Sequence, residues 1–155
     1  MSLVVFCDSA PLVRTVRCRT VANTLSIGLP TRSVRYQMSA ARFPVAKTLV
    51  EFDFAAAAVN EALVRSLHAG DFLDQTRNAV LVGGTGSGKT HLAIAIGTTA
   101  VQNGRRVRFY NAVDLVNRLD GEMRDGRTGR LTEQLCRVDL VIIDELGYPM
   151  MSSLM

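Results

Sequence analysis

Short uninterrupted apolar runs alternate along this chain with longer amphipathic stretches, and their order predicts strands and helices in turn. Asn78 to Val82, NAVLV, runs into a glycine cluster and has the texture of a parallel strand buried on both faces. Thr90 to Val101, THLAIAIGTTAV, is apolar and of helix length, and Gln102-Asn103-Gly104 closes it. Val107-Arg108-Phe109-Tyr110 reads as a second strand. Asn111 caps the following helix, with Asp114 in its first turn and Val113, Val116 and Leu119 as its core face. Asp120 to Gly129, DGEMRDGRTG, with three glycines and alternating charge, reads as an exposed loop. A short helix over Leu131–Arg137 then leads to a third strand, Leu140-Val141-Ile142-Ile143.

Upstream the rhythm is weaker. Residues 55–69, AAAAVNEALVRSLHA, place Val59, Leu63, Val64 and Leu67 at helical spacing, with Gly70 as the stop. Lys47 to Phe54 is a short extended or looped approach carrying two aromatics on the same side. Up to about Gln37 neither period persists and Pro11 and Pro30 interrupt, so this leader reads as irregular. Strands alternating with helices imply an α/β fold, a parallel sheet covered on both faces. No internal repeat is visible.

Composition narrows the class. With 155 residues and 48% hydrophobic content, the chain has material for one domain with a real core. No apolar run approaches the roughly 18 residues of a membrane span. Met1 to Cys7 has no positive charge before its apolar patch and meets Asp8 at once, a poor secretory signal, so a soluble cytoplasmic protein with no membrane partner is expected. The net charge of +4 is uneven: residues 1–50 hold seven basic groups and one acid, while the remainder is slightly acidic. Cys7, Cys18 and Cys136 form no CxxC pair, and His68 and His91 are not placed to complete a metal site. Cys136 is expected in the core.

The chemistry is concentrated after the first strand. Gly83-Gly84-Thr85-Gly86-Ser87-Gly88-Lys89-Thr90 fits G-x-x-x-x-G-K-[ST] in full, the P-loop pattern. Glycines are needed there because successive backbone N–H groups must converge on phosphate oxygens, where a Cβ would obstruct turn and approach. Lys89 supplies a mobile point charge for the β and γ phosphates, the Thr90 hydroxyl a ligand for Mg2+, and the opening helix its positive dipole end. ATP with Mg2+ is the expected cofactor.

Leu140 to Glu145, LVIIDE, reads as the second half of the site: Asp144 to hold Mg2+ and Glu145 to orient and deprotonate a water attacking the γ phosphate. The second acid favours a nucleotide hydrolase over a P-loop kinase, which activates a substrate hydroxyl instead. A dinucleotide dehydrogenase is disfavoured, because no G-x-G-x-x-G reading works within residues 83–91. His91 reads as a helix residue rather than a base. Arg105, Arg106 and Arg108 read as the charged approach to a strand, and Arg124, Arg127 and Arg130 as loop cations able to reach DNA or a neighbouring subunit.

Four blocks, RFPVAKTLVEFDF, GGTGSGKTHLAIAIG, RVRFYNAVDLVNRL and DLVIIDELGY, resemble in order those of the IstB-like ATP-binding proteins, helper ATPases of bacterial insertion sequences related to the DnaC helicase loader in the AAA+ superfamily. The resemblance spans about Arg42 to Tyr148. It implies a P-loop NTPase of AAA+ type, a three-layer parallel sheet, with Lys89 and Thr90 in Walker A and Asp144 and Glu145 in Walker B. It also implies an ATP switch that assembles on DNA and assists a transposase or helicase-type protein, and it sets Phe52 and Phe54 near the adenine. Residues 1–41 then form a basic leader, 42–148 the N-terminal part of the ATP-binding domain, and 149–155 a short tail outside the family pattern.

The family's later strand with a polar sensor, its arginine acting on a neighbour's ATP, and its further helices have no counterpart after Tyr148, so the fold is expected to be incomplete at its C-terminal end and self-assembly to lack its arginine finger. In the superfamily's strand order 5-1-4-3-2 the missing strand lies between Asn78–Val82 and Leu140–Ile143. The expectation is therefore a gap one strand wide: direct pairing that displaces Asp144, or unsatisfied backbone groups, with impaired folding and little hydrolysis. A nucleotide-binding module without turnover is the competing reading.

Overall fold

A computed structural model of the chain describes residues 2–7, 31–57, 59–127 and 129–144. Four parallel strands, β1 (Ser2–Cys7), β2 (Ala79–Val82), β3 (Val107–Asn111) and β4 (Leu140–Asp144), form one sheet in the order β2-β1-β4-β3. β1 pairs with both neighbours, Val4 opposite Ala79 through Cys7 opposite Val82 on one side, and Ser2 opposite Leu140 through Val5 opposite Ile143 on the other. β3 runs beside β4 from Val107–Leu140 to Asn111–Asp144.

This order corrects the expected gap. The place between the two apolar strands is filled by the chain's own first strand, so β2 and β4 neither pair directly nor face an open slot. The leader read as irregular contains two regular elements, β1 and helix α1 (Thr31–Ala41). Leu3-Val4-Val5-Phe6 is a run of the β-branched and aromatic type that favours strands. Its partners lie more than 70 residues away in sequence, and only the ladder reveals it.

One face of the sheet carries the main core. Ala41 of α1, Phe72 and Leu73 of α3 (Asp71–Asp74), and Ala93, Ile96, Ala100 and Val101 of α4 (Lys89–Gln102) close over Ala79, Val107, Leu140 and Ile142. Val34, Met38 and Ala41 lie on one side of α1 and pack there. Strand alternation sends Val141 and Ile143 to the opposite face, where they meet Tyr110 with Leu115 of α5 (Ala112–Arg124) and Leu131 and Leu135 of α6 (Arg130–Cys136). That second layer covers β3 and β4; on β2, Val80 and Val82 are exposed, Val82 at 67%. Among the described residues, helices thus cover β2, β3 and β4 on one face and β3 and β4 on the other.

α4 is buried almost all round, as a central helix must be when it is apolar on every side. A Cβ at Gly97 would lie 2.7 Å from Ile142 Cδ1 and 2.8 Å from Phe43 Cζ, so the missing side chain sets how closely α4 lies on the sheet. Gly97→Val should lower stability by roughly 1–3 kcal/mol through overpacking, read as a reduced urea midpoint.

Other boundaries moved for local reasons. α2 (Glu61–Ala69) starts six residues later than its apolar spacing suggested, because the Asn60 side chain accepts from Leu63 N–H at 3.1 Å and caps it. The Asp53 carboxylate holds the preceding alanines in a turn, accepting from Ala55 N–H at 2.9 Å and Ala56 N–H at 3.1 Å. Gly70, at φ +93°, ends α2 as expected. α5 continues through Gly121 to Arg124 where a loop was expected, and its supposed core residues Val113, Val116 and Leu119 are exposed, with Leu115 turned inward instead. Cys136, expected in the core, is exposed at the end of α6.

The joint between α2 and α4 is polar. Thr99 Oγ1 and His68 Nε2 lie 2.7 Å apart, and burial, with Arg65 nearby, holds His68 below the ordinary imidazole pKa. A depressed folded-state pKa means the unfolded chain takes up the proton first as pH falls. Stability is therefore fullest above about pH 6.5, the unfolded value, and declines below it until the folded imidazole also titrates. Urea midpoints measured from pH 7.5 to 5 should fall for the wild type, and less steeply for His68→Gln.

Candidate functional site

β2 delivers the chain into the Gly83–Gly88 loop, and α4 begins at Lys89, so strand, loop and helix stand in the order the motif requires. Gly86 and Gly88 adopt φ +79° and +82°, the left-handed region that disfavours a side chain. Gly88 is constrained twice, because a Cβ there would lie 2.5 Å from the Phe52 ring. Ser87 N–H donates to Gly84 O at 3.3 Å across the turn, and Leu92 N–H to Gly88 O at 3.0 Å starts the helix. The amides of the first turn of α4 have no intrahelical acceptor and sit at the positive end of the helix dipole.

Lys89 folds over this loop. Its ammonium donates to Gly83 O at 2.6 Å and Gly84 O at 2.7 Å and lies 3.4 Å from Ser87 Oγ. Gly83, Gly84, Thr85, Gly86, Ser87, Gly88 and Lys89 thus form one continuous lip of backbone, with the lysine charge held on it. Such a lip of amides, with one cation and a helix terminus behind it, can bind a polyphosphate.

Thr90 takes the next position on α4. Its hydroxyl donates to the Asp144 carboxylate, 3.0 Å from Oδ2 and 3.2 Å from Oδ1. Fifty-four residues separate the two in sequence, and β1 lies between β2, which leads into the loop and α4, and β4, which carries Asp144. The expected displacement of Asp144 from the loop is therefore corrected: its carboxylate touches the helix that the loop starts. Hydroxyl and carboxylate together offer hard oxygen donors of the kind Mg2+ takes, leaving the other positions to water and phosphate. Glu145 lies outside the described residues.

An aromatic group packs beside the loop. Phe52 meets Phe54 edge to face at 5.0 Å between centroids and His91 at 5.3 Å, and the Arg65 guanidinium lies 5.5 Å from the Phe54 ring centre. His91 Nε2 lies 2.8 Å from Thr48 O, so the ring donates there and is fixed with its proton on Nε2. His91 thus ties the segment before the aromatics to α4. Sequence alone gave no sign of this, because its partner is 43 residues upstream.

At the same edge of the sheet a cleft of about 420 Å3 opens between Arg42, Phe109, Asn111, Asp114, Arg118 and Asp144, so Asp144 borders both the loop and this cleft. Ligands of open parallel sheets bind at this carboxyl end. Arg105 and Arg106 stand at the opposite edge, just before β3, paired with Asp74 and Asp139 respectively.

The profile of the IstB-like ATP binding protein family matches residues 23–154. The ATP-binding protein of insertion sequence IS5376 from Geobacillus stearothermophilus is 36% identical over 118 residues, 76% of this chain and 47% of its own length. That of insertion sequence IS21 from Pseudomonas aeruginosa is 37% identical over 118 residues, 76% of this chain and 44% of its own. The replicative helicase loader DnaC of Buchnera aphidicola is 32% identical over 85 residues, 52% of this chain and 34% of its own. The chain spans less than half the length of these relatives. With more than four-fifths of its residues inside the family profile, this chain belongs to the IstB-like ATP binding protein family.

Proposed function

We propose that the chain binds Mg2+·ATP at the Gly83–Thr90 loop in an AAA+-type domain and acts as the ATP-dependent helper of insertion-sequence transposition, with DNA and a transposase or helicase-type protein as partners. The observation that carries this reading is the Thr90–Asp144 contact at 3.0 Å beside the loop that holds Lys89. Walker A and Walker B elements meet there although neither motif requires the other's position in sequence.

In this reading the amides of residues 84–90 and the Lys89 ammonium hold the β and γ phosphates. Thr90 and Asp144 hold Mg2+, which neutralises phosphate charge. Glu145, next in the chain after Asp144, orients a water and accepts its proton. Phe52, packed on Gly88, leaves its ring and that of Phe54 beside the loop for the nucleoside end. The basic leader supplies the electrostatic attraction for DNA, and affinity for duplex should then fall steeply with salt.

ATP turnover by the purified chain, with and without DNA, tests the proposal. Phosphate release that Lys89→Ala abolishes and Glu145→Gln lowers about 100-fold is the expected result, from the usual contribution of a general base. Turnover indifferent to both substitutions would overturn it. Nucleotide binding without turnover would leave a binding module in place of an ATPase.

A further inference from the structure

Of the strands in this sheet, β1 alone is bonded to both halves of the nucleotide site. β2 leads into the loop and α4, and β4 ends in Asp144; both pair with β1 and not with each other. Two strand spacings, about 9–10 Å, therefore separate β2 from β4. The Thr90–Asp144 contact of 3.0 Å bridges that distance at the sheet's edge. A sheet without the middle strand would close by about one spacing, near 5 Å, or leave two rows of backbone groups unpaired. A shift of that size exceeds what a hydrogen bond tolerates.

We propose that the slot between β2 and β4 is a strand-addition site, filled by this chain's own Ser2–Cys7 segment, and that seating this strand sets Asp144 against Thr90. This deepens the proposed nucleotide site and rests on that reading for the ligand used below. The slot takes an extended apolar segment running parallel to both neighbours, with main-chain bonds on each edge supplying the affinity. Thr90 and Asp144 would together hold Mg2+·nucleotide, so its binding would favour the seated strand, and by reciprocity the seated strand would favour its binding.

The register supplies a probe in the full chain. Val82 is the Cα partner of Cys7 and is exposed, so Val82→Cys puts two cysteine Cα atoms one strand spacing apart, within the Cα separation a disulfide spans. With Cys18→Ser and Cys136→Ser removing the other thiols, mild oxidation should give a disulfide within one chain, and Mg2+·ATPγS should raise its rate of formation several-fold over ATPγS with EDTA. In a second variant, Val4→Pro removes a ladder donor from the middle of β1, and Mg2+·ATPγS affinity should fall at least tenfold, while Val4→Thr leaves it near the wild-type value. A disulfide between two chains, no disulfide, or unchanged affinity in Val4→Pro would each overturn the proposal. Direct titration of the wild type with ATPγS separates the two readings: a cross-link that forms in a chain that binds no nucleotide would remove the nucleotide reading and keep the strand in its slot.

Discussion

Lys89→Ala should weaken Mg2+·ATP binding about 100-fold or more while leaving the fold almost unchanged. The ammonium is held on the loop's own carbonyls, Gly83 O and Gly84 O. Charge-assisted bonds to phosphate contribute roughly 1.5–3 kcal/mol each, and loss of contacts to two phosphates corresponds to about two decades or more in affinity. The bonds to Gly83 O and Gly84 O reach no further than six residues along the chain, so their removal costs little stability. Equilibrium titration with a fluorescent ATP analogue, beside a urea unfolding curve, separates the two effects. An unchanged affinity would place phosphate binding elsewhere.

Asp144→Asn should act differently, through the metal. The amide keeps the size of the carboxylate and can still accept from Thr90 Oγ1, so the 3.0–3.2 Å contact can persist. The anionic oxygen that a hard cation prefers is lost. Affinity for ATP in Mg2+ should drop about 10- to 100-fold, while affinity in EDTA stays near the wild-type value. Equal losses in both conditions would mean that Asp144 serves the fold and not the cation.

How much of this was legible in the sequence depends on how local the cause is. The Gly83–Thr90 loop is a contiguous pattern whose chemistry requires its residue types, and its strand and helix flanks could be read from adjacent residues. Asp144 was legible as the end of an apolar run, and Asn111 as a cap whose bond reaches only two residues further on. The features that escaped depend on partners far along the chain. β1 looks like an isolated apolar patch until its ladders with Ala79–Val82 and Leu140–Ile143 are seen. Val113, Val116 and Leu119 have helical period, but period says which residues share a face and not whether anything covers it. Gly121 and the charges around it suggested a loop, yet the helix continues through it; a single glycine costs only about 1 kcal/mol, within what neighbouring turns can offset.

The position of β1 also changes what limits the site. From the strand order that the resemblance implies, a gap beside the loop strand argued for a displaced Asp144 and a damaged sheet. The observed order β2-β1-β4-β3 supplies a partner on each edge of the former gap, and the site's two oxygen donors touch. What the family profile and the loop imply for nucleotide binding is therefore compatible with the sheet that this chain forms.

The central claim is that the Gly83–Thr90 loop and Asp144 form one magnesium nucleotide site. Calorimetric titration of ATP into the wild-type chain, at fixed ionic strength, in Mg2+ and then in EDTA, tests it most directly. One nucleotide per chain, bound at least tenfold more tightly in Mg2+, is the predicted result; no binding, or equal affinity in both buffers, would contradict it.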